Sequence, residues 1–185
     1  MLQYFSYIYI ILIKTIKVMY LSASKVYANS NSDVAKNEKN DCVVRSIASA
    51  AEVSYKVAHE FCAKVFGRED KKGVNSLVMT SAMLKAQDEG ISIGNKEFDI
   101  YGLKKNEVCN KYKLHGKEIW RKKTIKSFVQ SHPIGTFLVM VANHALCIKD
   151  GELLDWDTNK FQPTRKVVSA YRLDSKSLSR QLSLF

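Results

Sequence analysis

Proline and paired cysteines are both scarce in this chain of 185 residues. Only two prolines occur, so a proline-rich linker or ligand segment is excluded. The four cysteines, Cys42, Cys62, Cys109 and Cys147, include no Cys-x-x-Cys pair, and their spacing matches no zinc-binding pattern. Apolar neighbours at helical or strand spacing favour a packing role for Cys62 and Cys147. We therefore expect no metal and no other cofactor.

The chain also lacks an apolar run long enough to form a membrane-spanning helix. The amino-terminal run from Phe5 to Ile13 has nine residues, whereas a span needs about twenty. Val26-Tyr27-Ala28 resembles a signal-peptidase site, which would make residues 1–28 a signal or anchor segment. Met19 offers a second interpretation, in which the start was assigned too early. Both interpretations stay open, and no membrane contact is expected beyond this segment.

The rest of the chain divides by composition. Residues 29–39 are polar and predict a loose leader, and residues 174–185 predict a polar tail. Residues 40–173 have the length and apolar content of one domain. An exported protein is expected if residues 1–28 are a signal peptide.

Acidic residues are outnumbered by basic ones, 18 against 29, which gives a formal net charge of +11. Nine basic residues and only two acidic ones lie in residues 104–126, where Tyr112 and Trp120 are interleaved with them. Such a segment favours weak, non-specific nucleic-acid binding through phosphate contacts and stacking. A solvated lysine-rich insertion is the other interpretation, since the segment has no zinc-finger, phosphate-loop or RNA-recognition signature.

Helical periodicity dominates the first half of the domain. Apolar residues at helical spacing predict a helix over residues 41–51, capped by Asn40 or Asp41. Ser54 and Gly67 have the residue types that begin and end a second helix. A third helix is predicted to end near Gly90, with four residues turned inward: Leu77, Val78, Met83 and Leu84.

Strand patterns dominate the second half. Residues 136–141 form an apolar run suited to a buried strand, and Asp150-Gly151 predicts a hairpin between apolar flanks. A short helix is predicted over residues 124–131 and a last strand over residues 167–171. Helices followed by antiparallel strands predict an α+β fold.

Cys42 and His144 are the candidate catalytic pair. Cys42 lies where a helix begins, and the positive end of the helix dipole favours a thiolate there. Its backbone N–H, with the Asn40 side chain as a second donor, could hold an oxyanion. If Asp150 and Gly151 form a two-residue turn, His144 lies opposite Asp157 and diagonal to Asp155. Either carboxylate could orient the imidazole, and a buried cysteine with a satisfied strand histidine is the simpler alternative.

These residues resemble a known arrangement. A cysteine at a helix start, a strand histidine 102 positions later and an acid on the next strand resemble papain-like cysteine peptidases and amidases. The pattern Asn-Asp-Cys-x-x-Arg at residues 40–45, with His144 and Asp150-Gly151, is similar to a group of small papain-fold proteins, many encoded by bacteriophages. The resemblance covers residues 36–160. It implies Cys42 as nucleophile, His144 as base and Asp155, in preference to Asp157, as the orienting acid.

The chain departs from papain in one respect. Papain has a glutamine shortly before its cysteine, and here no glutamine occurs between residues 4 and 86. The oxyanion role then falls to Asn40 or Asn37. Arg45 lies one helical turn after Cys42 and is expected to hold Asp41 or a substrate carboxylate, or to join the helix to the sheet.

The sequence therefore predicts a papain-like thiol hydrolase that cleaves or transfers an acyl group at a peptide or isopeptide amide. The alternative is a non-enzymatic phage-type protein that uses the same fold to bind a protein partner or nucleic acid through a basic face. A phage protein of either kind would work in the host cytoplasm or in the virion.

Overall fold

The computed structural model describes residues 33–155 and 163–176. The chain is a mixed α+β protein with helices first and an antiparallel sheet second, as the sequence predicts. The predictions for the signal or start segment, for Asp157 and for most of the tail lie outside the described residues.

Six helices are described: α1 (Asp33–Asn37), α2 (Cys42–Ala51), α3 (Tyr55–Phe66), α4 (Ser76–Glu89), α5 (Lys105–Val108) and α6 (Ile125–Ser131). The strands of the described residues are β1 (Ile91–Ile93), β2 (Lys96–Gly102), β3 (Cys109–Leu114), β4 (Lys117–Lys122), β5 (Thr136–Val141), β6 (His144–Lys149), β7 (Glu152–Leu154) and β8 (Val167–Ser175). None of these helices is long and apolar enough to cross a membrane.

Six strands form one antiparallel sheet in the order β1-β2-β8-β5-β6-β7, and β3 and β4 form a separate two-stranded ribbon. The last strand, β8, lies in the middle of the sheet between β2 and β5. It extends to Ser175, so the predicted tail loses its first two residues to the sheet.

Apolar side chains cover both faces of this sheet. Phe137, Leu138 and Val139 are consecutive in β5 and all buried, because α2 packs on one face of the sheet and α6 lies against the other. A strand covered on both faces needs a continuous apolar run rather than alternation. This explains the pattern of residues 136–141 and fixes the centre of the domain.

Helices α3 and α4 both form as predicted, but α4 buries a different set of side chains from the one predicted. Ser54 accepts a hydrogen bond from the Val57 N–H, and Gly67 ends α3 with a φ of 61°. In α4 the buried side chains are those of Met79, Met83 and Ala86. The prediction that its inward residues include Leu77, Val78 and Leu84 is wrong, since these three are 79%, 42% and 55% exposed.

Part of the predicted leader belongs to the folded domain. Helix α1 buries Ala35 in the core. Glu38 Oε2 accepts hydrogen bonds from Arg68 Nη2 at 2.5 Å and from the Lys71 N–H at 2.9 Å. The Glu38 and Arg68 side chains are only 5% and 1% exposed. The folded domain therefore begins before residue 40 and includes described residues of the segment assigned to the leader.

The ion pair between Glu38 and Arg68 leads to a prediction about truncation. A chain that starts at Asn40 lacks Glu38 and leaves the Arg68 guanidinium buried without its carboxylate, which costs about 3–5 kcal/mol of the free energy of unfolding. A chain that starts at Asn29 retains the pair and should match the full chain. Urea unfolding followed by circular dichroism measures both. Equal stability of the two truncated chains would contradict the structural role of Glu38.

Candidate functional site

Cys42 is the first residue of α2, and its side chain is half-buried at the helix end. Asp41 occupies the N-cap position, yet its side chain makes no capping hydrogen bond. The carboxylate turns instead to Arg45 and Tyr55. The prediction of side-chain capping by Asp41 is therefore wrong. Asp41 leaves the first-turn N–H groups of α2 uncapped beside the Cys42 thiol.

Asp41, Arg45 and Tyr55 form a buried polar cluster directly beneath the start of α2. Asp41 Oδ2 accepts a hydrogen bond from Arg45 Nε at 2.8 Å and one from the Tyr55 hydroxyl at 2.7 Å. The Arg45 guanidinium also lies 5.5 Å from the centre of the Tyr55 ring. Burial and the Asp41 carboxylate raise the pKa of Tyr55 well above its usual range, so the phenol stays neutral and donates. Arg45 thus holds Asp41, one of the partners expected from the sequence.

The residues before Cys42 are fixed by the loop that follows α3. Asn40 adopts a left-handed conformation with a φ of 53°. Its Nδ2 donates to the Lys71 carbonyl at 3.2 Å, and Arg68 Nη2 donates to the Lys39 carbonyl at 3.2 Å. Asn37 Nδ2 donates within α1, to the Asp33 carbonyl at 3.1 Å. The primary amide of Asn40 has a second hydrogen, and its oxyanion role stays a prediction.

His144 reaches the site from the opposite side, at the start of β6. A two-residue turn made by Ala142 and Asn143 joins β5 to β6, and Asn143, its second central residue, takes a left-handed conformation with a φ of 55°. Arg165 Nη2 donates to the Ala142 carbonyl. This hydrogen bond ties the turn to the segment that leads into β8. It therefore helps to fix the position of His144, the residue that follows the turn.

The hairpin between β6 and β7 has the register that the sequence predicts. Lys149 pairs with Glu152, and the ladder ends at Leu154 opposite Cys147. Asp155 follows β7 directly, and its Oδ2 lies 2.8 Å from Nε2 of His144. The carboxylate diagonal to His144 therefore contacts the imidazole. Asp157, directly opposite in the extrapolated register, lies outside the described residues.

His144 hydrogen-bonds to Asp155 and interacts with Cys42. Burial of the ring disfavours its charged form, but the hydrogen bonds and charges of Asp155 and Cys42 outweigh this effect and raise the pKa of His144 to about 9. Since Nε2 is bonded to Asp155, Nδ1 is the ring nitrogen left for the thiol. The structure thus brings Cys42, His144 and Asp155 together, with the acid buried and the thiol half-exposed.

The other three cysteines lie in different environments. Cys62 and Cys147 are fully buried, and burial raises the pKa of each thiol to about 12. Cys109 is half-exposed at the start of β3, opposite Lys122. All four thiols are free. Of these thiols, Cys42 is the one whose interaction with an imidazole raises the pKa of a described histidine, that of His144.

Glu38, His59 and Asp70 form a second cluster, which the sequence did not indicate. His59 Nε2 lies 3.3 Å from Glu38 Oε1 and 3.5 Å from Asp70 Oδ1, and the three could offer ligands to a metal ion. Glu38 already has Arg68 as its counter-charge at 2.5 Å. The contacts therefore join α3 to the residues before Cys42 without requiring a cation.

A groove of about 970 Å³ lies elsewhere on the molecule. It is lined by the carboxyl end of α2, including Ala51 and Glu52, and by the ends of β2 and β8. Because α2 has ten residues, this end lies roughly 14 Å from Cys42. The groove is thus distinct from the Cys42 and His144 arrangement, and its lining mixes acidic and basic side chains.

Comparison with known proteins adds no family assignment. No protein-family model matches the chain, and neither the curated proteins nor the solved structures contain a match. The chemistry of the site therefore rests on the geometry of its own residues.

Sequence reasoning missed three residues that support this site. Tyr55 and Arg68 hold the residues just before Cys42, and Arg165 holds the turn before His144. All three act over sequence separations that local patterns do not reveal. The weak signal that existed was chemical: a buried acid such as Asp41 next to a candidate nucleophile needs donors.

Proposed function

We propose that this protein is a thiol hydrolase with a papain-like arrangement, which cleaves or transfers an acyl group from a peptide or isopeptide amide. The observation that carries the proposal is the line of interacting side chains from Cys42 through His144 to Asp155, in which Nε2 of His144 lies 2.8 Å from Asp155 Oδ2. Nucleophile, base and orienting acid in such a line are the parts that thiol acyl transfer requires.

In the acylation half of the reaction, the Cys42 thiolate attacks the amide carbonyl carbon and forms a tetrahedral oxyanion. The Cys42 N–H and the neighbouring uncapped N–H groups of α2 donate to that oxyanion, with Asn40 as the side-chain donor. His144 then protonates the leaving amine, the C–N bond breaks, and a thioester remains on Cys42.

In the second half, a water molecule or an acceptor amine attacks the thioester. His144 accepts the proton from that nucleophile, the C–S bond breaks, and the Cys42 thiol is restored. Asp155 stays ionised and holds Nε2–H throughout, so that Nδ1 faces the sulfur in both steps. The buried contact between Asp41, Arg45 and Tyr55 keeps the start of α2 in place while the substrate exchanges.

The proposal is tested by the order in which the thiols react. Treatment of the folded protein with iodoacetamide near neutral pH should label Cys42 at least about ten-fold faster than Cys62 or Cys147, because both of these are buried and protonated. Peptide mapping by mass spectrometry gives the rate for each cysteine.

Cys109 is the control. Its side chain is half-exposed like that of Cys42, but it has no histidine in contact among the described residues. His144→Ala should slow the labelling of Cys42 and leave that of Cys109 unchanged. Equal rates at Cys42 and Cys109, unaffected by His144→Ala, would count against an activated thiol.

A further inference from the structure

Only Cys109, at the base of the β3–β4 ribbon, packs against the hydrophobic core among the strand residues of this ribbon. None of its twelve strand residues is buried: nine are exposed and three are intermediate. A two-stranded ribbon alone is marginally stable in water, and this one is anchored only at its root. The Lys123 N–H donates to the Val108 carbonyl there, and the Val167 N–H donates to the Lys123 carbonyl.

Each face of the ribbon carries one aromatic ring with positively charged side chains beside it. Trp120 pairs across the strands with Lys111, and Tyr112 pairs with Ile119 next to Arg121. The ammonium groups of Lys105 and Lys111 lie 5.2 and 5.9 Å from the Trp120 ring centre, and the Arg121 guanidinium lies 5.7 Å from that of Tyr112. Trp120 is 36% exposed and Tyr112 is 47% exposed. Each ring is thus accessible and flanked by positive charge.

We propose that the β3–β4 ribbon is a binding surface for single-stranded nucleic acid. The lysines on the Trp120 face neutralise phosphates and unpaired bases stack on Trp120, while Tyr112 with Arg121 offers a second ring and cation on the opposite face of the ribbon. A duplex conceals its base faces inside the helix, and an acidic peptide offers nothing to stack on the rings. The exposed aromatics therefore favour a single strand over either of these anionic partners.

The root of the ribbon lies at the same end of the sheet as His144. Val141 pairs with His144 on one side and with Val167 on the other, and Val167 is bonded to Lys123 at the root. Three strand spacings, from His144 through Val141 and Val167 to Lys123, amount to roughly 15 Å, so the ribbon starts near the candidate catalytic site. A bound strand would therefore lie near that site, although the proposal does not depend on the hydrolase activity.

The test uses the full chain and a fluorescein-labelled oligothymidine of about 20 nucleotides, followed by fluorescence anisotropy. Binding should fall steeply as salt rises from about 50 to 200 mM, and oligonucleotides of other sequences should bind about as well. Trp120→Ala should weaken binding about 5- to 100-fold, which corresponds to the loss of one stacked base.

A pair of matched double variants separates local from overall charge. Lys113→Gln with Lys122→Gln, on the ribbon face of Trp120, should weaken binding and reduce the slope of log K against log salt by about 1.4. Lys56→Gln with Lys85→Gln removes the same charge from exposed positions on α3 and α4 and should leave the slope nearly unchanged. Circular dichroism and the labelling rate of Cys42 show whether each variant is folded.

Three results would overturn the proposal. The first is equal loss of binding in the two double variants, which would mean that net charge alone attracts the probe. The second is binding to a duplex or to polyglutamate as tight as to oligothymidine. The third is binding that persists at high salt and discriminates sequence, because phosphate contacts and stacking produce neither.

Discussion

If the proposed function is correct, replacing Cys42 with alanine should remove hydrolysis of peptide amides, a loss of at least about ten-thousand-fold relative to the intact protein. The reason is chemical: without sulfur no thioester forms, and the nearest described thiols cannot substitute. Cys62 and Cys147 are buried, with the pKa of each raised to about 12, so neither supplies a thiolate. A fluorogenic library of peptide and isopeptide amides gives the rates.

Cys109→Ala is the matched control, because it removes another half-exposed cysteine from the same chain. It should hydrolyse every substrate at the rate of the intact protein. The Cys42→Ala protein should still fold, since its side chain loses one atom at a half-buried helix end. If the Cys42→Ala protein still hydrolysed the substrates and the Cys109→Ala protein did not, Cys109 on the ribbon would be the nucleophile.

Replacing Asp155 with asparagine should reduce turnover by about a hundred- to ten-thousand-fold with little change in substrate affinity. An asparagine side chain is neutral, so the Nε2–H of the imidazolium no longer has a negatively charged acceptor. The pKa of His144 should then fall from about 9 toward its ordinary value. The ratio of kcat between the two proteins, measured with one substrate, gives the effect.

Asp157→Asn distinguishes the two acids that the sequence left open. It should reduce turnover far less than Asp155→Asn, because Asp155 already lies 2.8 Å from His144. The reverse ranking would mean that the extrapolated two-residue register places the orienting acid correctly.

The same substitution at Asp155 changes the dependence of stability on pH. The raised pKa of His144 stabilises the folded state fully below pH 6.5, and this stabilisation is lost as the pH rises through about 9. Asp155→Asn should therefore flatten the decline in the free energy of unfolding between these two values.

Local chemistry made much of the fold predictable. Ser54 and Gly67 bound α3 because their side-chain oxygen and left-handed backbone satisfy helix ends, and Asp150-Gly151 forms the hairpin that it predicts. The predicted α4 forms and ends at Gly90, but three of its four predicted inward residues are exposed because its apolar residues are spread around the helix. Leu77 is as apolar as Met83, and only the neighbours of α4 decide which of them is buried.

The sequence predicted the residues of the candidate site, but not the residues that hold them in place. Cys42 and His144 each stand beside a strong local signal, a helix start and a hairpin. The contact between Asp155 and the imidazole depends on the tertiary path of the chain after Leu154. Burial of Asp41 against Tyr55 likewise follows from the packing of α3, which no periodicity in the sequence reports.

The most direct test of the coupled site is a nitrogen-15 NMR titration of the His144 ring in the intact protein, Cys42→Ala and Asp155→Asn. The account predicts an imidazolium that persists until about pH 9 in the intact protein, and a lower midpoint in each variant, since each substitution removes one of the two groups that raise the pKa. A midpoint near 6.5 that neither substitution changes would contradict a site in which these three side chains act together.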